Sequence, residues 1–428
     1  ETINGDLVVD DSYFDVPDGD PGEFDNRPFH AYNVIPNALL VNLKAVYFHF
    51  YPASDGKSVL IKTEPELPNL TIDNRLIAIT GPCGGYQSGL AMTVPDPVAA
   101  DRVIFEGRYA VSCGHYVVAR SVLTPETFAY GVFKALWEQS GGDAWGVAVS
   151  GTTSYVADGM SGLQIIDVTD PSSPDILGSF DTPGTAYGVV VSGTTAYVAD
   201  GDSGLQIIDV TVPASPQFLG SYDTPGDAYG VVISGNTAFV ANGGSGLQII
   251  DVADTSSPKL LGSYNTPGAA YGVVISGNTA YVADDVGGLQ IIDVTDKSLP
   301  KLLKSFGMPG NAAGIAISGS TVYVADWDVG LQIIDVTNPS APILIGNYDT
   351  PGSAVGVTIS GDIAYVADWY SGLQIIDIKD SSSPKLLGSY ETPDTAVQVV
   401  ISGNTAYLVD GTSGLLIIDV TNPSSPQV

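Results

Sequence analysis

Gly246-Leu247-Gln248-Ile249-Ile250-Asp251 decides the fold, because the string does not occur only once. Copies end at Asp167, Asp209, Asp251, Asp293, Asp335 and Asp377, and a seventh reads Leu415-Leu416-Ile417-Ile418-Asp419. Each step is 42 residues, without slippage. A short isoleucine-rich run repeated at a fixed period between glycines reads as one β-strand of a modular array.

Working outward from Leu247, one unit resolves into four strands. Ala238–Ala241 is a strand reached through the tight turn Ser234–Thr237, where Gly235 and Asn236 tolerate positive φ. Before it, Gly230–Ser234 is an apolar run suited to an innermost strand buried on both faces. After Leu247–Val252, Thr255–Pro258 breaks the chain and Lys259–Tyr264 supplies an outer strand. Four strands in 42 residues is the arithmetic of a propeller blade, and no helical periodicity survives between the glycines and prolines. The seventh copy ends at Val428, before its outer strand. Phe133–Glu138 matches the missing piece, so an upstream strand is expected to complete the last blade and leave no open sheet edge. The predicted fold is therefore all-β. A seven-bladed β-propeller over residues 131–428 follows a small β-rich domain (27–130) and an acidic extended arm (1–26).

Flanked by Tyr197-Val198-Ala199-Asp200 in one unit and by Asp170-Pro171-Ser172-Ser173-Pro174 in another, the strand resembles the LVIVD repeat of bacterial and archaeal surface proteins. The resemblance extends over all seven copies. It implies a secreted or surface-exposed propeller, and it carries no catalytic residue onto any position of this chain.

A repeat protein supplies its own control, since a feature present in every blade serves the blade and one confined to a few can serve a task. The seven aspartates that end the third strand are expected to bond backbone amides of the following turn. Asp158, Asp200, Asp284, Asp326, Asp368 and Asp410, with Asn242 in their place in one blade, receive the same reading, with a bound cation as the lesser alternative. Two sets of non-repeating residues fall on one face. Between the second and third strands most blades carry small residues, as at Gly159, Gly201 and Gly411, whereas two carry Trp327-Asp328 and Trp369-Tyr370. Where one blade passes to the next, Trp145, Tyr187, Tyr229 and Tyr271 are followed in later blades by Ala313, Val355 and Val397. One side of a central mouth is thus expected to be aromatic and the other aliphatic. These rings either bind a glycan or a protein partner, or simply cover apolar surface between blades.

The N-terminal third is unlike the rest. Residues 1–26 hold nine acids and no base. Asp15, Asp18, Asp20, Glu23 and Asp25, with glycines between them, form a candidate Ca²⁺ set of hard oxygen ligands, although the spacing is not that of an EF-hand; a solvated acidic arm is the competing reading. Leu7-Val8-Val9 is a candidate assembly strand that would add to a neighbouring molecule's sheet and polymerise the chain through residues 1–130. Ala45–Tyr51, Ser58–Thr63, Leu76–Thr80, Arg102–Glu106 and Tyr116–Arg120 read as strands, and Thr124–Leu136 as a capped helix. Cys83 and Cys113 are the expected disulfide, 30 residues apart. His30, His49 and His115 share this domain in no zinc-ligand spacing.

Composition narrows the function classes. With 47 acidic and 15 basic residues, a formal charge of -32, the chain repels nucleic acid and anionic lipid. No stretch reaches the roughly 20 apolar residues that span a bilayer. An acidic, Gly-, Ser- and Thr-rich chain beginning at Glu1 suits an extracellular, cell-surface protein. The propeller has neither histidine nor cysteine, which removes Ser-His-Asp and Cys-His chemistry and leaves only carboxylate pairs such as Asp202 with Asp328. The expected role is a non-catalytic structural subunit of a filament or surface layer, displaying its propeller, with an adhesin as the alternative.

Overall fold

The computed structural model describes residues 46–53, 58–64, 67, 70–80, 90–95, 102–120 and 142–428. The chain divides into two compact units, Glu1–Leu136 and Trp137–Val428. Among the described residues no helix is long and apolar enough to cross a membrane.

In the first unit, β1 (Val46–Pro52) lies between β2 (Val59–Glu64) and β6 (Tyr116–Arg120), antiparallel to both. A second three-stranded sheet sets β5 (Arg102–Ala110) between β3 (Thr71–Ile79) and β4 (Leu90–Thr93). β3 and β5 run parallel through nine register pairs. Alternation explains the core: Val46, Phe48 and Phe50 on β1 are fully buried, as are Val103 and Phe105 on β5. Phe105 meets Phe48 and Phe50 edge-on at centroid distances of 4.9 and 5.2 Å. Expected strands are all present, the one at Arg102 running on to Ala110 rather than ending at Glu106, with two further differences. The third begins at Thr71 rather than Leu76, and β4 was not foreseen. Both gains come from pairing with β5, which draws the polar stretch Thr71–Arg75 into a ladder its composition does not announce.

In the second unit the repeat folds as read. Six four-stranded antiparallel sheets and one three-stranded sheet follow in chain order. Blade three shows the pattern: Gly230–Ser234, Thr237–Ala241, Leu247–Asp251 and Lys259–Tyr264. Each inner strand also packs against the inner strands of both neighbouring blades, and the last (Ala396–Ser402) packs against the first (Gly146–Ser150). A backbone pair at one end of the blades makes the same circuit. Gly159 pairs with Ala186, Gly201 with Ala228, Gly243 with Ala270, Asp285 with Ala312, Trp327 with Ala354, Trp369 with Ala396, and Ala144 with Gly411. Seven equivalent junctions close the ring.

The core sits between blades. Leu163 and Ile165 of blade one pack with Val189, Val198 and Ile208 of blade two, and the same set recurs around the ring. Inner strands approach so closely that a Cβ at Gly146 would lie 2.5 Å from the Tyr187 carbonyl oxygen, and one at Gly188 would lie 2.6 Å from that of Tyr229. All seven third-strand aspartates accept the backbone N–H two residues on, from Thr169 on Asp167 (2.9 Å) to Thr421 on Asp419 (2.8 Å). The buried second-strand aspartates are tied less regularly: Asp200, Asp284 and Asp368 are held by a threonine hydroxyl and a glycine N–H, whereas Asp326 and Asp410 each keep one unpartnered oxygen and Asp158 keeps two. Asp200 accepts from the Thr182 hydroxyl at 2.6 Å and the Gly184 N–H at 2.9 Å, and Asp368 does so from Thr350 and Gly352. Among the described residues blade seven has three strands, after which Asp419 pairs with Gln427. The strand expected to complete it, Phe133–Glu138, lies outside the described residues, as do the helix at 124–136, the carboxylates of Asp15, Asp18, Asp20, Glu23 and Asp25, the Leu7–Val9 strand, and Cys83 of the expected disulfide.

Candidate functional site

Each inner strand starts at the end of the blade where the second strand turns into the third, so two positions per blade border one mouth of the channel. One is the residue before the inner-strand glycine, and the other follows the buried second-strand aspartate. In blades one to four the first position holds Trp145, Tyr187, Tyr229 and Tyr271, and in blades five to seven Ala313, Val355 and Val397. The second position runs Gly159, Gly201, Gly243, Asp285, Trp327, Trp369 and Gly411.

These positions trade volume. A Cβ added at Gly201 would sit 3.3 Å from the Tyr187 ring, and one at Gly243 would sit 3.2 Å from the Tyr229 ring. The ring of each early blade therefore covers its own turn. Where Ala313 and Val355 vacate that space, Trp327 and Trp369 enter from the turn instead. Six of the seven blades thus contribute one aromatic side chain each, and the expectation of an aromatic side facing an aliphatic one is corrected. The gap is blade seven, where Val397 and Gly411 are both small.

The six rings line a cavity of about 460 Å³, floored by Val189, Val231, Val273, Ile315 and Val357. Neighbouring rings touch. Trp145 and Tyr187 lie 5.4 Å apart, Tyr187 and Tyr229 4.9 Å, Tyr229 and Tyr271 5.0 Å, and Trp327 and Trp369 6.1 Å. Asp328 and Tyr370, grouped with the tryptophans from sequence, do not line this cavity; both are exposed, Tyr370 to 77%.

Backbone conformation separates the tryptophans from ordinary packing residues. The turn position requires positive φ, which Gly159, Gly201, Gly243 and Gly411 meet at 46–52°. Among the described residues only Asp285 (46°), Trp327 (22°) and Trp369 (48°) are non-glycine residues with positive φ, and all three occupy this one position. A side chain there costs on the order of 1–2 kcal/mol.

Two residues of the mouth escaped the sequence reading. Asp285 takes the same turn position as the tryptophans. Gln398 takes the inner-strand position that is glycine in every other blade, lines the cavity, and accepts the Val147 N–H at 2.6 Å across the junction of blades seven and one. Both were visible as departures from glycine at aligned positions of the repeat, a signal hidden when only aromatic substitutions are sought.

Carboxylates set the electrostatics. The Tyr229 hydroxyl is pushed up to about 12 by burial and by Asp227, to which it is hydrogen-bonded. Tyr187 is raised by burial and then by Asp227, Asp143 and Asp202, and Tyr271 by burial and then by Asp285. Burial also raises Asp143, against a hydrogen bond from Trp145, with the charge of Asp394 adding to the rise. The phenols are thus neutral donors under a negative rim. Such a lining offers aromatic faces and phenol donors to whatever enters the cavity.

In the first unit, His49 Nδ1 lies 3.0 Å from His115 Nε2, and its Nε2 lies 2.9 Å from Glu64. Among the described residues no group of three or more His, Cys, Asp or Glu side chains is arranged to hold a metal ion.

Comparison with known proteins agrees with this architecture. The LVIVD repeat model matches seven times, at residues 141–182, 183–224, 225–266, 267–307, 309–350, 351–392 and 394–428. No curated protein matches the sequence. Among solved structures, the β-propeller domain of Myceliophteria thermophila Cps50 (Swd1) superposes with a TM-score of 0.55 at 15% identity, over 65% of this chain and 97% of that one. A chain of the mitotic checkpoint complex gives 0.54 at 13%, over 64% and 89%. Saccharomyces cerevisiae Sqt1 gives 0.52 at 8%, over 67% and 85%. At such identities these neighbours speak for the fold alone. The repeat matches, which span the whole ring, make the chain a member of the LVIVD repeat family.

Proposed function

We propose that this chain is a surface-exposed, non-catalytic binding protein whose ligand seats in the aromatic mouth of the propeller. The observation that carries this reading is the left-handed backbone of Trp327 and Trp369 at a position where four other blades use glycine. A fold that needed only to cover its own core would keep glycine there, because the rings add strain and are only half buried. Support also comes from the convergence of six rings on one cavity and from the absence of histidine and cysteine in the propeller sequence. The acidic composition and the family resemblance favour an extracellular setting.

Retention of the full chain on arrays of glycans, peptides and small amines tests the reading, with Trp369→Gly as the comparison. Retention by the native chain that the variant loses supports it; retention that the variant keeps, or none on any array, overturns it. Polymerisation through residues 1–130 was motivated by Leu7–Val9, which lie outside the described residues, and it adds nothing to this assignment.

A further inference from the structure

Stacking alone would be served by uncharged surroundings, yet carboxylates stand around this mouth, outside its lining. Asp143 and Asp227 each stand two residues before a ring of the arc, Trp145 and Tyr229. Asp285 occupies the strained turn position itself. Asp202 and Asp328 follow that position in blades two and five, and Asp394 enters blade seven beside the gap, where it accepts from the Thr412 N–H at 3.0 Å. Among the described residues of the second unit none of this charge has a basic counterpart on the same face. No arginine follows Arg120. The six lysines of residues 137–428 all lie on outer strands or in the loops that lead into them from the opposite end: Lys259, Lys301 and Lys385 open outer strands, Lys304 lies within one, and Lys297 and Lys379 precede them. Among the described residues of the second unit there is no ion pair.

We propose that the mouth takes an organic cation, an alkylammonium group, packed against the aromatic arc and attracted by the unneutralised carboxylates of its rim. The proposal rests on the binding role argued above and names the chemistry of the ligand. Aromatic faces attract an ammonium through their quadrupoles, most strongly for tryptophan, and a low-dielectric concavity of one charge sign focuses its field on the ligand. Asp285 reconciles both halves of the site. It accepts the same backbone penalty as Trp327 and Trp369, and although it does not line the cavity as they do, its charge reaches Tyr271 of the arc, whose hydroxyl it helps to raise.

Titration calorimetry on the full chain decides the matter with choline and its uncharged isostere 3,3-dimethyl-1-butanol. Choline is expected to bind roughly tenfold more tightly than the isostere, and to weaken as salt rises. Asp285→Gly installs the residue other blades use and relaxes the turn, so it folds; it is expected to weaken choline by roughly threefold or more and to leave the isostere unchanged. Nα-acetyl-lysine amide against its norleucine analogue distinguishes the source of the group. Binding of the lysine compound indicates a lysine side chain on a partner, whereas choline alone indicates a free quaternary amine, and either supports the proposal. Equal affinity for choline and isostere overturns the cation while sparing the binding role. So does retention of a neutral glycan with no binding of choline or lysine amide. Failure of every probe, with no retention on the arrays, overturns both.

Discussion

Replacing Trp369 by glycine and by alanine separates a ligand-binding ring from a packing ring. The residue holds φ at 48°, within the 46–52° of the four glycines at equivalent turns. Glycine should recover about 1–2 kcal/mol of left-handed strain, less about 0.5–1 kcal/mol for its greater freedom in the unfolded chain. The lost terms are ring contacts with Trp327 and Tyr370, each at 6.1 Å and each worth about 0.5–1.5 kcal/mol, and the burial of a half-exposed indole. The losses exceed the recovered strain, so Trp369→Gly should be less stable than the native chain by about 1–3 kcal/mol. Trp369→Ala loses the same contacts and keeps most of the strain, so it should be the less stable variant by about 1 kcal/mol, the reverse of the usual order for these two residues. Urea unfolding followed by far-ultraviolet circular dichroism measures both. A glycine variant no more stable than the alanine variant would show that the backbone at Trp369 carries no strain and refute the functional reading built on it.

Three further outcomes are expected. Blade five has Met308 where blades two, four and six have a threonine donating to the buried aspartate, and Asp326 Oδ1 has no hydrogen-bond partner. Met308→Thr should supply the donor and stabilise the protein by about 1 kcal/mol after the lost methionine packing is deducted, visible as a raised urea midpoint; no gain would mean that the hydroxyl does not reach the carboxylate. Burial pushes Asp158 up to about 7. Its folded-state pKa thus exceeds the unfolded one, so its contribution to stability is complete below about pH 4 and is lost as pH rises towards about 7. Asp158→Asn copies Asn242 of blade three, and its stability relative to the native chain should increase across that window by at most about 4 kcal/mol; a pH-independent difference between the two urea curves would contradict this. In the first unit, Phe105→Ala removes a fully buried ring from between Phe48 and Phe50 and should cost about 3–5 kcal/mol, measurable on the isolated transition of that unit if calorimetry resolves it.

The repeat alone determined the propeller. A constant period leaves every blade the same strands, turns and capping aspartates, and local chemistry sets each of these: glycine at the turns, near-continuous apolar runs in the strands, and Asp167 with its six counterparts bonding amides two residues away. What local chemistry does not encode is which residues of different blades face one another. Tyr187 and Trp369 lie 182 positions apart and occupy different steps of the repeat, so the sequence placed them in separate loop sets. Ring closure brings both to one cavity, and only then does the exchange of volume between the two positions of each blade become visible. The strain at Asp285, Trp327 and Trp369 likewise belongs to the folded chain, because the junction between blades forces a positive φ whatever residue occupies the turn. Gln398 acquires its role from the same closure, which presents it with the Val147 amide of a blade 251 residues away. In the first unit, β4 and the long parallel pairing of β3 with β5 arose from partners distant in sequence, where strand propensity is too weak a guide.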